Sequence, residues 1–153
     1  MARRHPALVP LSHDHHHTLA LALRLVQGEA ALLNDGWTHD RHEQVRRVRE
    51  LYSDNLRQHF GAEEEVLFPA MRAGIAGVDS MIDRLLREHR EIEALIDSLS
   101  PDGPADPGPH LEVLGRLLER HIRVEERELF PLFSSGLPAT VQDEVAKRLS
   151  VAS

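Results

Sequence analysis

Apolar residues recur every three or four positions through most of this chain, and the recurrence breaks in only a few places. From Ser12 to about Leu33, Leu19, Ala22, Leu23, Val26 and Ala30 fall on one helical face, and His15 lies on the same stripe. The spacing predicts a helix capped by Ser12 and ended by the turn Asn34-Asp35-Gly36. A second helix is predicted from about Thr38, its cap, to Arg72. Its face carries Val45, Val48, Leu51, Tyr52, Leu56, His59, Glu63, Val66 and Leu67, and Pro69 should kink it by removing a backbone bond. A third, from about Asp79 to Leu99, carries Met81, Ile82, Leu85, Leu86, His89, Ile92 and Ile96. A loop rich in Pro and Gly follows from Ser100. A fourth helix, from about Pro109 to Phe133, turns Leu111, Leu114, Leu117, Leu118, His121, Glu125 and Leu129 inward. Gly136-Leu137-Pro138 breaks it, and a short last helix over about 138–150 carries Val141, Val145 and Leu149. No sustained period-two alternation marks a strand. The pattern predicts an all-α fold: an up-down-up-down four-helix bundle with a short additional C-terminal helix lidding one end.

Polar residues interrupt these stripes at matching places. HFGAEEEVLFP, from His59, returns as HIRVEERELFP, from His121. Residues i and i+4 of a helix point in nearly the same direction, so His59 and Glu63 can face one part of the core, and His121 and Glu125 can do the same. Alone, such a pair belongs to a solvated helix face. Here both pairs interrupt apolar stripes, where a buried carboxylate needs a cation or donors. The other two predicted helices each offer an acid and a histidine before an apolar stripe, Asp14-His15 and Glu88-His89. The chain therefore reads as two tandem hairpins that together turn four histidines and two glutamates inward. His13, His16 and His17 compete with His15, and Glu126 competes with Glu125. Six nitrogen and oxygen donors without sulfur suit iron or manganese, and zinc can occupy them by affinity. A closed structural zinc site needs only four, so six point to a dinuclear centre with room for water, dioxygen or a bridging oxide.

Composition narrows the functional classes. The 153 residues include no cysteine, which excludes disulfides and thiolate sites and is compatible with a cytoplasmic protein. A net charge of −7 argues against nucleic acid or an anionic membrane as partner. Arg41, Arg46, Arg47 and Arg49, interleaved with acids, read as a solvated face. No apolar run reaches the ~20 residues of a membrane span, and no secretion signal is read at the start. Glu64, Glu65 and Glu128 are expected on outer faces, His5, His39, His42 and His110 on the surface, and Phe68 and Phe130 at the bundle end.

In order along the chain, LSHDHHHTLALAL, HFGAEEEVLFP, REHREIEAL and HIRVEERELFP resemble the hemerythrin-like, or HHE cation-binding, domain. The resemblance covers Leu11 to Leu132 and implies a single domain over 1–153, with its core at about 11–133. It also implies a four-helix bundle holding a non-haem di-iron centre, oxo- or hydroxo-bridged. Carried over position by position, the ligands are His15, His59, Glu63, His89, His121 and Glu125. Oxygen-carrying hemerythrins have a second histidine in the third helix where this chain has Glu93, and an aspartate where it has Glu126. Glu93 is either a seventh ligand or a solvated residue. Fewer histidines imply a more open or labile centre. Ferritin-like di-iron proteins use Glu-x-x-His spacing and are less similar. The expected function is reversible dioxygen binding, or sensing of oxygen, iron or redox state. The alternatives are a di-iron oxidase, an enzyme handling peroxide or nitric oxide, and a metal-free structural bundle.

Overall fold

The computed structural model describes residues 4–28 and 36–152. Among these residues there are five helices, one short 3₁₀ turn (Pro6–Leu8) and no strand. Helix α1 is Val9–Gln27, and α3 is Asp79–Ser98. Helix α2 is one continuous rod over 41–74, and α4 one over 108–136. Helix α5 is Ala139–Ala152. No described helix is long and apolar enough to cross a membrane.

The starts of α1 and α2 differ from expectation. Ser12 lies inside α1, and its hydroxyl donates to Glu126 Oε2 at 2.8 Å. Helix α1 instead grows out of the 3₁₀ turn, with Pro10 in its first turn, where a missing N–H costs nothing. Asp40, not Thr38, caps α2: its Oδ1 accepts from His42 N at 3.0 Å and Glu43 N at 3.4 Å. The buried stripe of α1 is Leu11, His15, Thr18, Ala22 and Leu25, rotated from the predicted face. Ala30, Leu33 and the Asn34-Asp35 turn lie outside the described residues. Helix α5 runs to Ala152 and buries Val145 and Leu149 against the 3₁₀ turn and α2.

Neither Pro69 nor Pro131 ends its helix. Each follows a π-helical turn, Glu63–Leu67 in α2 and Glu125–Leu129 in α4. In these turns Phe68 N–H donates to Glu63 O, and Phe130 N–H to Glu125 O. The extra residue widens the ladder just before the proline, where an ordinary turn would lose a bond and clash with the ring. Nearby carbonyls are taken by arginines: Arg148 donates to Glu65 O at 3.4 Å, and Arg4 to Glu126 O at 2.9 Å. A third π turn, Tyr52–Leu56, lies earlier in α2.

The apolar interior falls into two clusters. One holds Leu11, Leu67, Phe68, Met71, Ile82, Leu85, Leu129, Phe130 and Phe133. The other holds Ala22, Leu25, Leu56, Phe60, Ile92, Ile96, Leu111, Leu114 and Leu118. Each fully buried Leu or Phe contributes roughly 1.5–3 kcal/mol by leaving water. Helices α1 and α4 pack closely at Gly115, where a Cβ would stand 2.7 Å from Ala22 O. Along α1 to α4, a polar belt sits between the two clusters, with His15, His59, Glu63, His89, His121 and Glu125 all buried.

Candidate metal centre

Each histidine reaches the belt from its place in a stripe. His15 follows Leu11, His89 follows Leu85, and His121 follows Leu118, at spacings that keep them on the buried face. His59 and Glu63, and likewise His121 and Glu125, are i,i+4 pairs, with the glutamate opening the π turn. Both glutamates have no solvent exposure, and the four histidines have at most 4%.

The six side chains form two groups of four. His15 and His59 make one group with Glu63 and Glu125, and His89 and His121 make the other with the same two carboxylates. Within each group the donor atoms all lie within 4.8 Å of one another. All four histidines turn Nε2 inward. His15 Nε2 is 2.9 Å from Glu125 Oε2, His59 Nε2 is 3.4 Å from Glu63 Oε1, and the two ring nitrogens are 3.1 Å apart. On the other side, His89 Nε2 is 3.2 Å from Glu63 Oε1, and His121 Nε2 is 2.9 Å from Glu125 Oε1.

Acids stand behind the rings. Asp14 Oδ2 lies 3.1 Å from His59 Nδ1, Glu64 Oε2 2.7 Å from His89 Nδ1, and Glu88 Oε1 2.9 Å from His121 Nδ1. Glu126 Oε2 lies 3.4 Å from His15 Nδ1. Such a contact fixes the tautomer that leaves Nε2 free to bind, and it raises the ligand's basicity. Phe130 stacks on His15 (centroids 5.5 Å apart) and Phe68 on His89 (5.7 Å). Both phenylalanines therefore line the centre as well as packing the apolar cluster beside it.

The inner atoms lack ordinary partners. Among the described residues, both oxygens of Glu63 and of Glu125, and Nε2 of His89 and His121, are buried without a hydrogen bond. Inward nitrogens and carboxylate oxygens crowd one another with no other side-chain donor to serve them. Two ligands ~2.1 Å from one ion and at right angles stand ~3 Å apart, close to the spacings seen here. Buried, unshared carboxylate oxygens are costly, and a cation held by each group answers that cost. The donor set thus fits two metal ions, with Glu63 and Glu125 common to both.

The electrostatics agree. Burial works against charge on His59 and His89, but the surrounding carboxylates outweigh it and push both up to about 10. For His59 the main sources are Glu63 and Asp14; for His89 they are Glu125 and Glu63. His15 and His121 are raised in the same way. Burial alone would raise Glu125, but His121, Glu63 and His15 hold it well below the usual carboxylate range. Protons therefore compete with metal for the same atoms.

Other expectations meet mixed outcomes. His13, His16 and His17 are exposed, and Glu126 is partly exposed beside Ser12 and Arg4. None of the four belongs to either group. Glu93 also lies outside both groups; it accepts from the Tyr52 hydroxyl and pairs with Arg90 at 3.1 Å. Glu65 is exposed as expected, but Glu64 is only half-exposed, because its carboxylate faces His89. His5 is half-buried against Phe133 and Gln142 rather than free on the surface. Sequence reasoning missed the acids behind the rings. A signal was present, since Asp14 and Glu88 precede matching histidines, and Glu64 and Glu126 follow matching glutamates.

The sequence profile of the hemerythrin HHE cation binding domain matches residues 8–133. Comparison with curated proteins and with solved structures finds no significant match. The matched span includes all six belt residues, and it runs from the start of α1 to the last turn of α4, so the chain belongs to the hemerythrin HHE cation-binding domain family.

Proposed function

We propose that this protein is a non-haem di-iron protein that binds dioxygen reversibly or senses oxygen, iron or redox state. The observation that carries the reading is the sharing of Glu63 and Glu125 between two groups of donors. His15 and His59 would hold one ion, and His89 and His121 the other. Helices α1 to α4 would run up-down-up-down around the belt, with α5 across one end. Ferrous iron, when bound, supplies electrons to a small oxidant such as dioxygen. The chain's own residues do the rest. Glu63 and Glu125 bring negative charge to both positions and balance it as the charge there changes. The histidines fill only part of a six-coordinate sphere and leave positions for a small molecule. Zinc or manganese would occupy the same donors.

Binding is favoured over turnover by what surrounds the belt. Every ligand is at most 4% exposed, and Phe60, Phe68 and Phe130 lie against the rings. That enclosure suits a small diatomic and restrains water. The working partner is then a small oxidant, in a cytoplasmic protein that engages neither nucleic acid nor membrane.

The test is anaerobic loading with ferrous iron, then repeated admission and removal of oxygen while the visible spectrum is recorded. A stoichiometric band that appears and disappears supports binding. Sustained consumption of oxygen, peroxide or nitric oxide would favour an enzyme. An unchanged spectrum in His59→Ala and Glu125→Ala variants would refute a role for the belt.

A further inference from the structure

The two groups share their carboxylates, yet their surroundings differ. His89 and His121 are each held from behind, by Glu64 at 2.7 Å and Glu88 at 2.9 Å. Glu88 is only 5% exposed and is itself held by Arg84 at 3.2 Å and Arg120 at 3.7 Å. Phe60 lies flat on His89, with centroids 3.8 Å apart and planes 15° from parallel. The other side is looser. His59 leans on a shorter acid, Asp14, at 3.1 Å, and Asp14 also accepts from Asn55. His15 Nδ1 has the longest of the four contacts. Its nearest acid, Glu126, stands 3.4 Å away and is shared with Ser12 Oγ at 2.8 Å and Arg4 at 3.6 Å. The sequence repeat fails at the same point. Phe68 on His89 and Phe130 on His15 are a matched pair, but the counterpart of Phe60 is Ile122.

A ring fixed in its tautomer and orientation before binding loses less freedom on ligation and donates more strongly. We propose that the two metal positions are unequal. The ion between His89 and His121 binds first and tightly, and the ion between His15 and His59 binds more weakly and exchanges. Glu88 and Glu64 are positioning residues for the tight ion, and Glu126, shared with Ser12 and Arg4, holds the weak one's His15 less firmly. An exchangeable ion beside a fixed one lets occupancy follow metal supply. The inference rests on the two-ion reading of the belt.

The test titrates the metal-free, full-length protein with Co(II) against a competing chelator, following the cobalt d–d absorption. Two steps are expected, separated by at least about tenfold in affinity. His15→Ala should remove the weaker step and keep the tighter one. Glu88→Gln should weaken the tighter step by about 10- to 100-fold with helical content retained, whereas Glu126→Gln should move neither step beyond about threefold. Two equal steps, loss of the tighter step in His15→Ala, or an equal effect of Glu126→Gln and Glu88→Gln would overturn the inequality alone. Failure to bind cobalt at all would overturn the two-ion reading with it.

Discussion

Loading this centre with metal must expel protons, and the geometry says how many. A metal binds the neutral imidazole, so any proton on an inward Nε2 has to leave. Without metal, His59 and His89 are pushed up to about 10, and His15 and His121 are raised too. His15 Nε2 and His59 Nε2 stand 3.1 Å apart, which leaves room for one proton between them. One proton from that pair and one from His89 make about two released at pH 7 for two ions bound, and the raised His121 adds to them. Glu125 adds none, because its neighbours already hold it ionised. Each displaced proton changes the overall binding constant about tenfold per pH unit, so two make it rise about a hundredfold per unit, or ~3 kcal/mol. The rise should run through the ordinary histidine range without levelling and flatten only near pH 10. Calorimetry in two buffers of different ionisation enthalpy measures the count from the difference in heat. Release of fewer than about one proton would refute the argument, since it would mean that the carboxylates do not charge the rings.

Three further outcomes follow from the same coordinates. In the metal-free protein the raised histidines contribute stability that is fully present below about pH 6.5 and is lost as pH rises through about 10, so its melting temperature should fall between pH 7 and 10. The metal-loaded protein should not show that fall; parallel behaviour of the two forms would contradict it. Gly115→Ala puts a Cβ 2.7 Å from Ala22 O and 3.1 Å from Leu25 Cβ. The overpacking costs ~1–3 kcal/mol against ~1 kcal/mol of helix propensity, so urea denaturation should show a net loss, and a stabilised variant would disprove the close approach. Glu93→Gln should leave the metal content unchanged. It should also lower the Tyr52 hydroxyl, pushed up to about 12 by burial and by Glu93, in an ultraviolet titration of the one tyrosine; an unmoved titration or a lost ion would count against the contact.

How much was legible in the sequence depended on whether an interaction lies within one helix or between two. His59 with Glu63, and His121 with Glu125, are four-residue neighbours, so their shared direction follows from helical periodicity alone. The acid behind each ring comes from a different helix, and periodicity carries no such information. Glu64 lies off the apolar stripe of α2, on the face that periodicity gives to solvent, yet it meets His89 across the gap to α3. The rivalry among His15, His16 and His17 needed the true rotation of α1, which Leu11, Thr18 and Leu25 define more sharply than the predicted stripe did. The π turns were hidden for a related reason. One extra residue shifts the phase of a stripe without breaking it, so the sequence shows Pro69 but not the widened turn before it. Helix starts misread at Ser12 and Thr38 show the limit of capping patterns where several small polar residues stand within a few positions of one another.

The sharing of Glu63 and Glu125 by two ions inside one polar belt would be visible directly. Anomalous diffraction at the iron edge, from crystals of the iron-loaded protein, tests it most directly. Two peaks are expected in the belt, one beside His15 and His59 and one beside His89 and His121, with both carboxylates in contact with each. A single peak, or iron found only at the exposed histidines of α1, would contradict it.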